Sequence, residues 1–217
     1  MALPLTWHLQ ILPPEQRDLW HSRIQPEGFP GWVLYGGTAL ALRMGHRTSV
    51  DFDFFSCQPL VPMVFRGKHR LEGEILQAET NTLSVLHRGV KISFFGGLSL
   101  GVLRPPDLLG ACPIASLEDL AACKLAALVN RVELRDYLDL AALLRHGLGL
   151  ARMLAGAQAV YRGSFPVAVC LKSLTWFDDP ALTELSPPDR QLLQQASLDL
   201  EDLPAMDLTS HPIGQFF

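Results

Sequence analysis

A glycine pair followed by two alternating aspartates is the feature that most constrains this chain: Gly36 and Gly37 precede Asp51 and Asp53. Side chains along a strand alternate between its two faces, so a strand over residues 50–55 places both aspartates on one face. Two neighbouring carboxylates repel each other unless a positive group lies between them. A divalent cation that prefers oxygen ligands, such as Mg²⁺, is the usual solution, and its other ligands are commonly phosphates. The segment therefore predicts a carboxylate pair that holds a metal.

The glycine pair predicts a strand-to-helix turn that binds phosphate. Residues 32–35 are an apolar run and residues 39–44 are good helix formers, which places Gly36 and Gly37 at the junction and Thr38 at the helix cap. Backbone N–H groups at the start of a helix bind phosphate well. Either motif alone is weak evidence, since glycine serves tight turns generally and acids on a strand can simply be solvated. Their order within one segment favours a combined metal and phosphate site.

Composition and charge limit the other classes of function. The 217 residues, 48% of them hydrophobic, suffice for one large domain or two small ones with a buried core. A net charge of −4 argues against a protein coated with basic surface for nucleic acid. The apolar stretch at residues 117–129 carries charges and is not a membrane span, and the N-terminus lacks a signal-peptide pattern. The cysteines without CxxC pairing are typical of buried thiols in a cytoplasmic protein, namely Cys57, Cys112, Cys123 and Cys170.

The pattern of apolar residues divides the chain into two parts. Three strands are predicted in succession, at residues 74–79, 82–86 and 90–95. After Pro105 and Pro106, apolar residues recur at helical spacing, beginning with a capping box from Ser116 to Asp119. We therefore predict an α+β chain with a mixed β-sheet core and helices over residues 1–110. A helical C-terminal region over residues 111–217 is expected to complete the active-site cleft.

Four further residues are candidates for the site, and each has a plain structural alternative. Arg47 contacts phosphate or orients a carboxylate, unless it is a surface arginine. Ser49 lies close to the transferred group, unless it is a turn serine. Lys124 occupies an apolar-face position of its helix, where it either covers the core with its stem or reaches nucleotide phosphates across the domain junction. Asp136 precedes an aromatic residue, and a helix salt bridge of the kind that Arg135 and Asp139 could form explains it less readily.

Two other charged features have simpler interpretations. Arg135 and Asp139 are spaced for an i, i+4 salt bridge on a helix. Residues 59–70 are predicted to be irregular and carry a basic cluster at residues 66–70. That cluster could meet RNA phosphates, although a charge cluster in a loop is more often solvated.

Two motifs resemble a known family. Residues 36–55, GGTALALRMGHRTSVDFDFF, are similar to the first motif of the nucleotidyltransferase AbiEii/AbiGii toxin family, in the DNA polymerase β-like nucleotidyltransferase superfamily. Residues 115–144 resemble that family's later motif, in which a lysine and an arginine precede an Arg-Asp pair and a further Asp. The resemblance implies a nucleotidyltransferase-type fold and Mg²⁺-dependent transfer of a nucleotidyl group from an NTP to an RNA (tRNA-like) or protein acceptor. Several members are toxins of toxin–antitoxin or phage-defence systems, so the resemblance implies that a cognate antitoxin could be a partner.

By matching position, the resemblance assigns phosphate binding to Gly36, Gly37 and Thr38 and the metal to Asp51 and Asp53. It also implies that Lys124 contacts the nucleotide and that Asp136 is a catalytic or orienting acid.

One position departs from the superfamily pattern. The superfamily places a third carboxylate on a neighbouring strand, as the base for the incoming hydroxyl, and the strand at residues 90–95 offers Ser93 instead. A serine cannot act as an ionised base. Either Asp136 takes the role, Glu74 is recruited, or the chemistry is weak. Two alternatives therefore stay open: a catalytically impaired member that acts by binding a nucleotide or partner protein, and a phosphotransferase that modifies a hydroxyl such as that of Ser49.

Overall fold

The computed structural model describes residues 6–200 and 202–216 and contains a mixed sheet flanked by helices. The strands are β1 (Val33–Tyr35), β2 (Asp51–Phe55), β3 (Glu74–Glu79), β4 (Thr82–His87), β5 (Val90–Phe95), β6 (Asp107–Leu109) and β7 (Cys112–Ile114). The α-helices are α1 (Pro14–Leu19), α2 (Gln25–Glu27), α3 (Gly36–Met44), α4 (Pro62–Lys68), α5 (Leu117–Asn130), α6 (Leu134–Arg145), α7 (Leu150–Val160), α8 (Val167–Thr175) and α9 (Pro187–Leu198). A π-helical turn, Trp20–Ile24, joins α1 to α2. The predicted α+β class is confirmed.

The sheet places β2 at its centre. Its seven strands lie in the order β3-β4-β5-β2-β1-β7-β6, and β2 runs antiparallel to β1 and parallel to β5. In this register Asp53 lies opposite Tyr35 on one side and Ser93 on the other. The predicted strands correspond to β3, β4 and β5, whereas β6 and β7 were not expected. Because β7 pairs with β1 through Ile114 and Leu34, the sheet extends past residue 110, where the sequence analysis places its division.

Two local predictions are wrong. The irregular segment expected at residues 59–70 contains helix α4, in which Pro62 occupies the first turn, where its missing N–H breaks no helical bond. Thr38 does not cap α3, because the helix already begins at Gly36 and its N-cap residue is Tyr35.

The alternation along β2 separates an aromatic core from a polar face. Phe52 and Phe54 are fully buried, and their ring centroids lie 6.1 Å from Trp20 and 4.9 Å from Phe29 respectively. Burial of each phenylalanine ring contributes roughly 1.5–3 kcal/mol. A slip of one residue in the register would turn these rings out and bury the aspartates instead, so the aromatic core fixes which face carries the carboxylates.

The helical half is built around α5, which packs against α6, α7 and α8. The Ser116 hydroxyl caps α5 by accepting the N–H of Asp119 at 3.1 Å, and it donates to the Asp119 carboxylate at 2.6 Å. The N-cap half of the predicted capping box is therefore present, whereas the Asp119 carboxylate binds the Ser116 hydroxyl and the backbone N–H groups of Leu103 and Arg104. The same carboxylate accepts the N–H of Leu103 at 2.8 Å and so holds the segment before β6 against α5. In the described part of the chain, no helix is both long and apolar enough to cross a membrane.

The expectations for the cysteines and for the basic cluster are met only in part. All the cysteines are free, but only two of them are buried, namely Cys112 and Cys170. Within the basic cluster, the guanidinium of Arg66 donates to the carbonyls of Leu71 and Gly73, both at 3.0 Å. This arginine therefore fastens the turn between α4 and β3.

Candidate active site

A pocket of about 440 Å³ opens between the polar face of the sheet and the helices α5 and α6. Its size lies within the range of small-molecule sites. Of the nine residues that the sequence analysis assigns to metal, nucleotide or catalysis, all but one line this pocket, and they are Gly36, Gly37, Arg47, Ser49, Asp51, Asp53, Lys124 and Asp136. The exception is Thr38.

Thr38 positions the strand rather than facing the pocket. Its side chain is buried, and its hydroxyl donates to the backbone carbonyl of Asp51. The side-chain amide of Gln16 donates to the Thr38 hydroxyl and to the same carbonyl, both at 3.3 Å. These bonds hold the start of β2 against the first turn of α3. Any contact between Thr38 and phosphate would therefore have to use its backbone N–H.

The two glycines allow the first turn of α3 to approach the charged side chains closely. A Cβ atom at Gly36 would lie 2.6 Å from the Asp53 Oδ2, and the φ of Gly36 is +73°, a conformation that other residues rarely adopt. A Cβ atom at Gly37 would lie 2.6 Å from the Arg47 Nη2 and 3.0 Å from the Ser49 Oγ. The turn thus brings backbone N–H groups next to the carboxylate pair.

The aspartates of β2 are short of positive partners. Burial raises the pKa of the Asp53 carboxyl, and the negative charge of Asp51 raises it further. The positive charges of Lys91 and Lys124 and a hydrogen bond from Ser93 act in the opposite direction and lower it. The net rise means that the ionised carboxylate is disfavoured where it lies. A cation bound beside it would therefore be stabilised.

The donor set of this carboxylate pair fits Mg²⁺. That ion commonly takes one or two protein carboxylates and completes its shell with phosphate oxygens and water. Within residues 6–200 and 202–216, no three His, Cys, Asp or Glu side chains are grouped so as to hold a metal. The described residues would therefore supply Asp51 and Asp53, and the remaining ligands would come from substrate and solvent.

Ser93 lies beside the aspartates, as the predicted pairing of the strands requires. It faces Asp53 in the parallel register of β2 and β5, is fully buried, and accepts a hydrogen bond from the Ser84 hydroxyl at 3.0 Å. The neighbouring strand thus presents a hydroxyl beside Asp53. Glu74 cannot supply a carboxylate there, because it lies exposed on the edge strand β3, with β4 and β5 between it and β2.

The carboxylate of Asp139 is bound by side chains of two other segments, the loop before β2 and helix α5. Its Oδ1 lies 2.7 Å from the His46 Nε2 and 2.6 Å from the Arg47 Nε. Its Oδ2 lies 2.8 Å from the Arg47 Nη2 and 2.6 Å from the Lys124 Nζ. Burial alone would raise the pKa of Asp139, but the hydrogen bonds from His46 and Arg47 and the charge of Lys124 hold it well below its usual range. We call these four residues the Asp139 cluster.

The Asp139 cluster overturns one prediction from helix spacing. Arg135 does not pair with Asp139; it is exposed, lines the pocket, and makes no ion pair with any other residue in the described ranges. The carboxylate instead faces the sheet half, where Arg47 binds it with two nitrogens. Arg47 therefore orients a carboxylate, which is one of the two roles that the sequence analysis proposes for it.

Lys124 is an ion-paired residue, not a lysine whose amine reaches solvent. Its Nζ donates to the Asp136 Oδ1 at 2.8 Å and lies 2.6 Å from the Asp139 Oδ2. The other oxygen of Asp136 accepts the Nε of Arg131 at 3.1 Å. An ammonium group has three N–H donors. One donor of Lys124 therefore remains for a ligand in the pocket that this side chain lines.

Several residues of the pocket escaped the sequence analysis. Lys91 faces Asp51 in the register of β5 and β2, and its alternation with Ser93 could have indicated this position. Asp139 is not among the residues that line the pocket, and the sequence analysis names it only as a helix partner of Arg135. It shares the buried side of α6 with Asp136 and Leu140, at positions where an acid needs a buried partner. An acid at an apolar-face position of a helix was therefore the sequence feature that could have identified Asp139 as a buried, ion-paired residue.

Comparison with solved structures identifies the class of fold. A candidate nucleotidyltransferase from H. pylori superposes with a TM-score of 0.52 at 18% identity, over 83% of this chain and 91% of that chain. MenT4, a nucleotidyltransferase toxin from Mycobacterium tuberculosis H37Rv, superposes with a TM-score of 0.51 at 16% identity, over 84% of this chain and 80% of that chain. The architecture is therefore that of a nucleotidyltransferase.

Comparison of sequences identifies the family. Residues 17–94 and 101–209 match the family described as Nucleotidyl transferase AbiEii toxin, Type IV TA system. An uncharacterised protein of Aquifex aeolicus (strain VF5) is 33% identical over 180 residues, which cover 79% of this chain and 85% of that protein. The chain belongs to the AbiEii nucleotidyltransferase toxin family, as its two motifs indicate.

The Asp139 cluster should dominate the stability of the junction between the sheet and the helices. We expect Asp139→Asn to lower the free energy of unfolding at pH 7 by about 3–5 kcal/mol, because it leaves buried cations uncompensated. Glu133→Gln is the matched control, since Glu133 and its partner Arg131 are both about half exposed and the loss of their pair should cost at most about 1 kcal/mol. Urea denaturation of both variants measures the difference.

The same comparison has a defined pH dependence. Because the folded pKa of Asp139 is lowered, its contribution is complete above the unfolded pKa of about 3.9 and is lost as the pH falls towards the folded value. The difference between wild type and Asp139→Asn should stay constant from about pH 7 to 5 and shrink below about pH 4. A difference that is absent at neutral pH would contradict this account.

Gly37→Ala tests the close approach at the first turn of α3. The new Cβ would press on Arg47, which cannot move aside freely because Asp139 holds it. We expect a folded protein whose affinity for NTP with Mg²⁺ falls by about tenfold or more, since small misplacements at such sites are costly. Gly67→Ala is the control, because a Cβ at Gly67 meets open space. Equal affinities of the two variants by isothermal titration would rule the explanation out.

Proposed function

We propose that this protein transfers a nucleotidyl group from an NTP, in the presence of Mg²⁺, to a hydroxyl of an RNA or protein acceptor. The observation that carries the proposal is the meeting of Asp51 and Asp53 with the Gly36–Gly37 turn and with several cations in one pocket. In this reaction the acceptor oxygen attacks the α-phosphorus, and the bond to the departing pyrophosphate breaks. Membership in the AbiEii family supports transferase chemistry.

The triphosphate would lie where the backbone and the cations converge. The first turn of α3 offers backbone N–H groups, which favour negative charge at a helix start. Lys124 adds its remaining N–H donor, and Lys91 and Arg135 add positive charge at the rim. Asp51 and Asp53 would hold the Mg²⁺, which when bound neutralises charge that develops on the phosphates.

Asp136 is proposed as a positioning residue. Both of its oxygens are bonded to cations, Lys124 at 2.8 Å and Arg131 at 3.1 Å, so the carboxylate is engaged in holding these two side chains. Its role would be to aim these two side chains at the phosphates. Loose phosphoryl transition states depend mostly on positioning and charge stabilisation, so transfer does not require a strong base.

The biological role is proposed to be that of a toxin with a cognate antitoxin. Family membership and the likeness to MenT4, itself a nucleotidyltransferase toxin, support this proposal. Incubation of the protein with each labelled NTP, Mg²⁺ and either total RNA or total protein would reveal the acceptor class, and a small regulator encoded next to the gene would support an antitoxin.

A second candidate function is favoured by Ser93. Because the strand beside Asp53 carries a buried hydroxyl in place of a carboxylate, the protein could bind a nucleotide or a partner and act by occupancy with little transfer. The two candidates differ in whether labelled nucleotide becomes covalently attached to an acceptor.

Asp53→Asn should separate folding from function. We expect loss of Mg²⁺-dependent NTP binding and of transfer, because a metal ligand is removed. Stability should be equal or higher than in wild type, because burial raises the pKa of Asp53 and makes its ionised form unfavourable. Glu74→Gln serves as the control, since this acid is exposed on the edge strand, and it should behave as wild type. Unchanged NTP binding in Asp53→Asn, measured by isothermal titration, would contradict the assignment of Asp53 as a metal ligand.

Asp136→Asn and Ser93→Asp together test the missing carboxylate. If Asp136 positions cations, Asp136→Asn should raise the KM for NTP and leave the shape of the pH–rate profile unchanged. Loss of the acidic limb of that profile with an unchanged KM would instead make Asp136 the base. If the protein is impaired for lack of a third carboxylate, Ser93→Asp should raise transfer from a low background. Wild-type behaviour of both variants would contradict both accounts.

A further inference from the structure

Two phenylalanines on the floor of the pocket take no part in binding metal or phosphate. Phe55 follows Asp53 on the same face of β2, and Phe95 lies beside it in the register of β5. Strand geometry places this aromatic pair about 7 Å beyond Asp53, because alternate residues of one face are two steps apart. The floor therefore passes from a charged end at Asp51 and Lys91 to an aromatic end.

The exposure of this aromatic pair sets it apart from the rest of the aromatic cluster. Phe52, Phe54 and Phe94, on the opposite face of the sheet, are completely buried. Phe55 and Phe95 remain partly exposed and line the pocket. Covering apolar surface of this kind is favourable, so the aromatic end gains from a flat apolar ligand.

The aromatic pair is held in place by ring contacts. The ring of Phe55 stacks on Tyr35, with centroids 4.7 Å apart and planes inclined by 10°. Phe95 meets Phe55 edge to face at 5.5 Å and 80°. Because Tyr35 is itself buried, the rings form a supported surface with little freedom to turn away from the pocket.

Helix α5 adds apolar side chains to the wall of the pocket. Leu120, Cys123 and Ala127 recur at helical spacing on the side of α5 that lines the pocket. Each carries a small or apolar side chain, in contrast to Lys124 on the same helix. The pocket therefore combines charged groups suited to phosphates with apolar surface suited to an aromatic ring.

We infer that the aromatic pair Phe55 and Phe95 binds a nucleobase by stacking. This inference rests on the proposed function, which supplies a nucleotide whose phosphates lie at the charged end. The base belongs either to the incoming NTP or to the terminal nucleotide of an RNA acceptor, since both present the same flat ring. Stacking on aromatic side chains tolerates any base, so this surface adds affinity without demanding one sequence.

Phe95→Leu tests the inference, because it keeps an apolar side chain and removes the aromatic face. The probes are the four NTPs and inorganic tripolyphosphate, each titrated with Mg²⁺. If the base is that of the NTP, the affinity for NTP should fall roughly tenfold while that for tripolyphosphate stays unchanged. Phe95→Tyr should retain wild-type affinity, and Trp176→Leu, which removes an exposed aromatic ring outside the pocket, is the matched control.

The second arm measures the affinity for a mixed-sequence single-stranded RNA oligonucleotide. If the base is that of the acceptor, Phe95→Leu should weaken RNA binding roughly tenfold and leave NTP binding unchanged. Phe55→Leu repeats both arms should Phe95→Leu not fold, as judged by thermal melting. Unchanged binding of NTP and RNA, or equal losses for NTP and tripolyphosphate, would overturn the stacking inference alone. Wild-type protein that binds neither NTP nor tripolyphosphate would overturn the proposed function with it.

Discussion

The buried carboxylate of Asp139 is the group on which the geometry of the pocket depends, because it ties α6 to the loop before β2 and to α5. Arg47 reaches it from the sheet half with two nitrogens, and Lys124 reaches it from the helical half. Removing one partner of such a group strands a charge in a region that water does not reach. The cluster is therefore stable only as a whole, and the distance between sheet and helices is set by it.

The cluster also determines what the pocket can bind. Lys124 is shared between Asp139 and Asp136, so its amine is held at the pocket with one donor unused. On the opposite wall, Asp51 and Asp53 lie together on β2, and the raised pKa of Asp53 shows that this placement opposes folding. Residues that break local rules in this way are expected where a protein keeps a site for ligands. A bound anion would pair with the donors on the helical wall, and a bound cation would pair with the carboxylates on the sheet wall.

Much of the site followed from sequence because its pattern is local. The shared face of Asp51 and Asp53 comes from the period of a strand, and the position of Ser93 comes from the pairing of neighbouring strands. Strand β7 escaped prediction because three residues that include Pro113 give too short a pattern. Asp139 was misassigned because helix spacing detects partners four residues away, whereas its true partners lie on other segments. Long-range charge pairing is set by the packed fold and leaves little trace in local spacing.

A crystal structure of the protein with Mg²⁺ and a non-hydrolysable NTP analogue would test the central claim most directly. The account predicts metal density on the carboxylates of Asp51 and Asp53, with phosphates at the Gly36–Gly37 turn. It also predicts that Lys124 touches a phosphate while it remains bonded to Asp139. A nucleotide bound elsewhere, or a metal that leaves both aspartates untouched, would contradict it.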